Sequence, residues 1–454
     1  YRTALNVNAC MKNILLFGAG KSTTVMIDYF LKHSEAEQWK LIVVDANLHL
    51  ARSKTAGHPN ARAFSFDINN NEERLKIISE ADIVISMLPP ALHLLVAKDC
   101  ISGKKNLLTA SYIDEQMLAL KSEIENSNLL FLCEIGLDPG IDHMSAMQLF
   151  DAVRSKGGEI TRFRSHCGGL IAPESDNNPW HYKISWNPIN IVNAGKQGAV
   201  YLENNENIEL DYYEVFEDCE TVNVPGLGHY AWYPNRNSIT YMPLYGLEDC
   251  ETFLRTTLRH PDYCKGWHAV ILAGLTDAEN ETTIKNFHGK SFNNWFVSSL
   301  NFYAKAQNFN DFLTRYIEKE EHDTVIRLFD YLGITSDDAI PETAGTSADI
   351  LKYLLETRLL LDSNDKDMVV MLHEVTYRLN NENRELKSTL IVKGDDNLHT
   401  AMAKTVGLPL AIAAKLILNK TITTKGLHIP IIKEIYNPVL KELSQNGIIF
   451  NDFD

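Results

Sequence analysis

Cysteine is scarce in this sequence: seven residues in 454, odd in number and scattered singly. No Cys-x-x-Cys spacing occurs, so neither a disulfide frame nor a zinc site is indicated, and no metal is expected. Positive charge is short as well. The 43 Lys and Arg stand against 59 Asp and Glu, a formal balance of −16. That balance argues against nucleic acid or an anionic membrane as partner. Long hydrophobic runs are missing too. The longest apolar run near the C-terminus, residues 409–418, is too short to span a bilayer, and Lys415 interrupts it. The first ten residues carry no charged-then-apolar pattern. Met11 reads as the natural start, with residues 1–10 an extension of no significance for the fold. There is no internal repeat and no low-complexity tract. The cytoplasm is the expected location.

What is present is ordinary for a soluble globular chain: 45% hydrophobic and 22% charged residues. The length predicts two or three domains. The chain is organised around residues 12–24. An apolar run at 13–17 is followed at once by Gly18 and Gly20, then by Val25, Met26, Tyr29 and Phe30 at helical spacing. Strand, glycine turn and helix form the setting of a dinucleotide-binding loop. Glycine lets the backbone approach a pyrophosphate, and the helix opening near Lys21 would aim unpaired N–H groups at it. The third glycine of the usual fingerprint is Thr23 here. Gly20-Lys21-Ser22 also resembles the end of a P-loop, but the glycine that motif needs five positions earlier is Leu15, in mid-strand.

Further strands are predicted at 41–44, 63–68, 83–88, 106–110 and 129–134, with helices between. This alternation predicts an α/β fold, a doubly wound parallel sheet of Rossmann type. Ligands of such sheets sit beyond the C-terminal strand ends. Asp45, ending the second strand, is placed to bind an adenosine ribose 2′-hydroxyl and to repel a 2′-phosphate. The expected cofactor is therefore NAD or NADP, with NAD favoured.

The rhythm changes after residue 159. A strand is predicted at 160–167, then a Pro- and Asn-rich loop at 172–193 that Trp180 and Trp186 would pack down. Strands at 208–213 and 220–224 follow. Residues 252–259 are helical or extended, and 281–361 mostly helical, with Ile350, Leu351, Leu354 and Leu355 as a core stripe. Residues 368–379 and 384–392 read as a hairpin. Leu386, Ser388, Leu390 and Val392 should face inward, and Glu385, Lys387 and Thr389 towards water. Two helices, 398–406 and 408–418, are expected to break near Gly407 and Pro409 and to pack on the first domain. Arg236 and Arg259, in a turn and at a segment end, are candidate carboxylate clamps because guanidinium binds carboxylate bidentately.

Several stretches resemble a known family. Glu134-Ile135-Gly136-Leu137-Asp138-Pro139-Gly140-Ile141-Asp142-His143 is similar to a signature of the saccharopine reductases, the L-glutamate-forming saccharopine dehydrogenases. So is His166-Cys167-Gly168-Gly169-Leu170-Ile171-Ala172-Pro173-Glu174-Ser175. Ala110-Ser111-Tyr112, residues 233–236 and Thr257-Leu258-Arg259 look like three more family stretches. They follow family order across nearly the whole chain after Met11.

The resemblance implies a Rossmann domain at 11–137, completed by C-terminal helices at about 396–454. It implies a substrate-binding and dimerisation α/β domain at 138–395, with a mostly helical insert at about 249–361. It also implies a homodimer. The implied reaction joins glutamate and 2-aminoadipate 6-semialdehyde through an imine, which a nicotinamide hydride reduces to saccharopine, or the reverse. By resemblance the dinucleotide would contact Gly20, Lys21, Ser22, Thr23, Asp45, Asp67, Ile68, Leu88, Ala110 and Ser111. It would also contact Leu137, Asp138, Pro139, Gly140, Ile141, Asp142, His143 and Met144. The substrate would contact Ser111, Tyr112, Asp138, Cys167, Arg236, Thr257, Leu258 and Arg259. Tyr112, Asp138 and Cys167 are the candidates for proton transfer. NADP-using members carry an arginine soon after the second strand, where this chain has Asp45-Ala46-Asn47. Two alternatives stand beside this reading: a carboxyspermidine- or carboxynorspermidine-dehydrogenase-like imine reductase, and a cofactor-binding regulatory protein without turnover.

Overall fold

The computed structural model describes residues 11–279 and 289–453. Residues 1–10, and the part of the expected helical insert at 280–288, lie outside the described residues. The chain divides into two compact units. One comprises residues 1–152 and 398–449, the other 153–397 and 450–454.

The first unit is built on β1 (Lys12–Phe17), β2 (Trp39–Val44), β3 (Ala61–Phe64), β4 (Ile83–Ser86), β5 (Asn106–Thr109) and β6 (Leu130–Leu132). All pair in parallel, in the order β3-β2-β1-β4-β5-β6, and the strand Gly426–His428 extends the sheet beyond β6. The doubly wound sheet is as expected. Its central strands are continuous apolar runs because helices cover both faces; Ile14, Leu15, Leu16, Ile83, Val84 and Ile85 are all fully buried. Order reverses between β1 and β4, which opens a crevice at the C-terminal strand ends. Asn47, Asn70 and Asp114 cap the helices that follow β2, β3 and β5, each accepting from a backbone N–H three residues on. The third strand ends at Phe64 rather than 68, because Phe66 to Asn70 form the turn ahead of the next helix. The helical segment expected between the strands at 106–110 and 129–134 is two short helices, Glu115–Ala119 and Lys121–Asn126, divided at Leu120.

The break expected near Gly407 and Pro409 is absent. One helix runs Ala401–Leu418 through both residues. Gly407 sits where a Cβ would come within 3.1 Å of the Ser22 carbonyl and the Met26 nitrogen, so it is a close-packing glycine and not a stop. By length and composition this helix could cross a membrane, but 83% of it is buried within the fold. The run 409–418 that looked too short is thus part of a longer element, and its apolar surface is core.

The second unit holds a ten-stranded mixed sheet. Its strands are β7 (Glu159–Ile171), β8 (Ala199–Glu203), β9 (Glu206–Leu210), β10 (Thr221–Val224), β11 (Gly228–Pro234), β12 (Arg236–Asn237), β13 (Thr252–Arg259), β14 (Asp367–Leu379) and β15 (Glu382–Lys393), with Phe450–Phe453 at the edge. β13 resolves the ambiguous segment 252–259 as extended, paired in parallel with β7. β7 runs on through Gly168 and Gly169, since a Cβ on Gly168 would meet Leu258 at 2.7 Å. The hairpin turns at Asn380 and Asn381, both with positive φ, the geometry of a type I′ turn. Leu390 and Val392 are buried as expected, but so is Thr389, which lies opposite Asn451 of the edge strand. That strand joins this sheet, whereas the sequence reading assigns residues 450–453 to the first domain.

Helices Pro261–Leu272, Phe292–Ser299, Phe309–Tyr316, His322–Leu332 and Ser347–Arg358 gather one apolar core. Ile350, Leu351, Leu354 and Leu355 lie in it. The 172–193 loop is anchored there by Trp180, fully buried, whose indole N–H donates to the Leu328 carbonyl at 2.9 Å.

Candidate active site

Gly18 follows β1 and bonds to the Val44 carbonyl at 2.8 Å. Its φ is +99°, and a Cβ there would come within 2.8 Å of the Met87 carbonyl, so this turn admits only glycine comfortably. Gly20 is the opposite case: a Cβ would meet nothing within 4 Å. That open side lies where the helical turn Lys21–Thr23 leads into helix Thr24–His33, and no side chain caps the turn. An exposed glycine at an uncapped helix start is a cradle that a phosphate fits.

Asp45 ends β2, and its carboxylate holds this loop. One oxygen accepts from the Ala19 N–H at 2.7 Å, the other from the Asn47 N–H at 2.8 Å. Lys54, on helix Leu48–Thr55, reaches the same loop. Its amine donates to the Gly20 carbonyl and to the Thr24 hydroxyl, the latter at 2.9 Å. Burial pushes this amine down to about 8. Lys54 was not foreseen, although a cation shortly after the second strand is a readable signal. Asp67 is exposed, with a carboxylate that accepts from the Asn69 N–H at 2.9 Å. The Ile68 carbonyl accepts from Arg74 at 2.5 Å. Leu88 is half-buried beyond β4.

Beyond β5 and β6 two loops lock together. Glu134 N–H donates to the Ser111 carbonyl at 3.1 Å and Ile135 N–H to the Thr109 carbonyl at 3.2 Å. Gly136 packs on Ala110 so closely that a Cβ would approach its methyl to 2.9 Å. The Tyr112 hydroxyl donates to Asp138 Oδ1 at 3.4 Å. Two of the three proton-transfer candidates are therefore neighbours. The Asp138–Pro139 peptide is cis.

Within the signature, Leu137, Ile141, Asp142, His143 and Met144 are buried. Ile141, His143 and Met144 are fully so, and their side chains support the loop from beneath. Asp142 Oδ1 accepts from the Gly140 N–H at 2.6 Å, and His143 donates to Glu134 at 2.9 Å. Asp138 is the one residue of 134–144 that is not buried.

The remaining candidates belong to the second unit. Cys167 on β7 is 5% exposed and lies opposite Thr257 of β13. Leu258 is fully buried in an apolar cluster, so its side chain meets no ligand and only its backbone is available. Arg259 is 4% exposed, and its guanidinium lies over the rings of Tyr182 at 5.2 Å, Tyr263 at 5.4 Å and Tyr233 at 6.0 Å. Burial works to lower its pKa, but those phenols hold it above the ordinary arginine value. Its Nε has no hydrogen-bond partner among the described residues, an orphan that a carboxylate would satisfy. Arg236 differs: it is exposed, has φ +55°, and donates to Gln197 at 2.9 Å.

Comparison with known proteins gives the family and the fold. Residues 14–132 match the model of the saccharopine dehydrogenase NADP binding domain, and residues 136–448 that of the saccharopine dehydrogenase C-terminal domain. This chain belongs to the saccharopine dehydrogenase family. Saccharopine dehydrogenase [NADP(+), L-glutamate-forming] of Saccharomyces cerevisiae is 32% identical over 449 residues, 97% of this chain and 98% of the yeast one. The apo structure of the L-Glu-forming saccharopine dehydrogenase from that yeast superposes with a TM-score of 0.85, at 30% identity, covering 97% of this chain and 99% of that one. The mitochondrial alpha-aminoadipic semialdehyde synthase of Bos taurus is 33% identical over 97% of this chain, but over 47% of its own length. The chain thus spans about half the length of that relative and of its Arabidopsis thaliana counterpart. The family places a nicotinamide dinucleotide site in the first unit, where the sequence reading expects it.

Proposed function

We propose that this protein is a nicotinamide-dependent oxidoreductase acting on the CH–NH bond of saccharopine, releasing glutamate and 2-aminoadipate 6-semialdehyde, or joining them in reverse. The observation that carries the reading is Tyr112 beside Asp138 at the C-terminal edge of a sheet whose first turn is a bare glycine cradle. The buried guanidinium of Arg259 supports a substrate rich in carboxylates over a polyamine.

Gly20, Lys21, Ser22 and Thr23 would hold the pyrophosphate, with Asp45 at the adenosine ribose. The dinucleotide, when bound, accepts or delivers the hydride. The chain's own work is positioning and proton transfer. Tyr112, hydrogen-bonded to Asp138, can move a proton at the substrate nitrogen, while Cys167 is a third group of the right chemistry. Arg259 would neutralise a substrate carboxylate. Two features pull the cofactor choice in opposite directions: the matching family model and the yeast relative's printed name carry NADP, and a carboxylate at Asp45 would repel a 2′-phosphate bound beside it. We favour NADP on the relatives, with Asp45 the one feature that speaks for NAD. A homodimer in the cytoplasm completes the reading; among the described residues no disulfide joins the cysteines, which suits a reducing compartment.

The test is a steady-state assay with saccharopine and each cofactor. Reduction of NAD or NADP with stoichiometric glutamate is expected. Tight cofactor binding with no turnover of saccharopine, or turnover only of a carboxyspermidine-type substrate, would replace this reading with one of its alternatives.

A further inference from the structure

His93 opens the helix His93–Ser102 just after β4. Its ring is 5% exposed and lies between the ends of β4 and β5. Nδ1 is 2.8 Å from the Ser86 hydroxyl oxygen; Nε2 is 2.8 Å from that of Ser111 and 3.4 Å from that of Thr109. Burial pushes the imidazole down to about 4, against a weak opposing pull from Asp114, so the ring is neutral at neutral pH. A neutral imidazole has one donor nitrogen and one acceptor.

Ser86, at 2.8 Å, decides which is which; Thr109 is the more distant neighbour at 3.4 Å, and its oxygen already accepts from the Ser111 N–H. It is fully buried, and His93 Nδ1 is the one partner of its hydroxyl among the described residues. A buried O–H without an acceptor is costly, so Ser86 donates to Nδ1. The ring proton then sits on Nε2 and is donated to Ser111. Ser111 Oγ becomes an acceptor on that side, and its own proton is directed away from the ring. Ser111 is half-buried at the strand end, beside Tyr112.

We infer that His93 is a positioning residue which, as the Nε2–H tautomer, turns the Ser111 hydroxyl into a hydrogen-bond donor and so selects an acceptor, a substrate carboxylate oxygen, at that point of the site. The inference rests on the proposed function for the identity of the ligand, but not for the tautomer. No contact between His93 and a ligand is required; it acts through Ser111.

Two measurements test it. The first is a long-range proton–nitrogen NMR spectrum of the full chain labelled with 15N-histidine, the His93 signal being assigned by its loss in His93→Gln. A neutral ring protonated at Nε2 is expected. A ring protonated at Nδ1, or at both nitrogens, overturns the inference whether or not the protein turns over saccharopine. The second is a kinetic cycle. His93→Ala should lower kcat/KM for saccharopine about tenfold when Ser111 is present, the worth of one ordinary hydrogen bond. In the Ser111→Ala background it should cost less than about twofold, because the partner is gone. His93→Gln, which keeps a donor near the Nε2 position, should recover most of the loss; His93→Asn should not. An equal cost in both backgrounds, or rescue by Asn and not Gln, overturns the positioning role. Absence of turnover by the unaltered protein sinks the proposed function instead, and the spectrum still decides the tautomer.

Discussion

His143 Nε2 donates to Glu134 Oε2 at 2.9 Å, with both side chains buried. The other Glu134 oxygen accepts from the Ile113 N–H at 3.0 Å. One carboxylate therefore ties the loop carrying Ser111 and Tyr112 to the helix that begins at Ile141. Removing it takes away the acceptor of His143 Nε2 and of the Ile113 N–H. Glu134→Ala should lower stability by about 2–3 kcal/mol, the scale of leaving buried hydrogen-bonding groups unsatisfied. Urea unfolding checks this; a loss under about 1 kcal/mol would show that water or a neighbour replaces the carboxylate.

Two glycines should fail in different ways. At Gly140 φ is +147°, and a Cβ would fall 2.1 Å from the Gly136 carbonyl oxygen. Gly140→Ala should cost several kcal/mol or prevent folding. At Gly20 the same methyl meets open space. Gly20→Ala should leave the melting temperature unchanged and raise the dinucleotide Kd at least about tenfold, by blocking close approach of a pyrophosphate. Calorimetry and cofactor titration separate the two. Unaltered cofactor affinity in Gly20→Ala would remove the cradle assignment.

Asp45 carries two duties, holding the loop and choosing the cofactor. Asp45→Asn keeps an acceptor for one backbone N–H and removes the charge. The ratio of kcat/KM for NADP over NAD should rise by about tenfold or more, since one repelled phosphate contact is removed. Asp45→Ala should relax the choice similarly but lower stability as well, by about 1 kcal/mol for the lost loop bonds. An unchanged ratio in both variants would leave Asp45 as a loop staple alone.

Glu374 predicts an acid limb of stability in the second unit. Burial works against its charge, but hydrogen bonds from His166 and from Lys387, at 3.3 and 2.5 Å, hold its carboxyl down to about 2. A carboxyl held below its ordinary value adds stability that is present above about pH 4.3 and is lost as pH falls through 2. His166 is buried and pushed below the ordinary histidine value, so its contribution fades at a higher pH, as the unfolded chain's histidine takes up a proton. The urea midpoint should therefore decline between about pH 5 and pH 2. Glu374→Gln should flatten that window and leave the decline nearer pH 6.5 in place. A midpoint with the same slope below pH 5 in the variant would exclude the carboxylate as its source.

The legible parts of this chain were those with local, periodic causes. Apolar runs at 13–17 and 83–88 read as strands because both faces of a parallel sheet are covered, the second ending two residues early at Ser86. The hairpin turn at Asn380 and Asn381 was visible because few residues accept positive φ twice in succession. The helix through Gly407 was misread because glycine marks a stop only when nothing packs against it, and here Ser22 and Met26 do. Thr389 was assigned to water by alternation alone, while Asn451 of the edge strand, which lies opposite it, comes from 62 residues further along.

Taken alone, the order of amino acids determined the doubly wound sheet, the glycine turn and the candidates Tyr112, Asp138 and Arg259, since each has a signal within a few residues of itself. Folding in three dimensions decided the surroundings of each candidate: Leu258 and His143 are buried, Arg259 is caged by three tyrosines, and Arg236 is left exposed. It also brought in His93 and Lys54, which no motif announced, and gave Glu134 of the signature its partners. The reason is physical. Burial and hydrogen-bond partnership depend on neighbours tens to hundreds of residues away, and spacing along the chain carries no record of them.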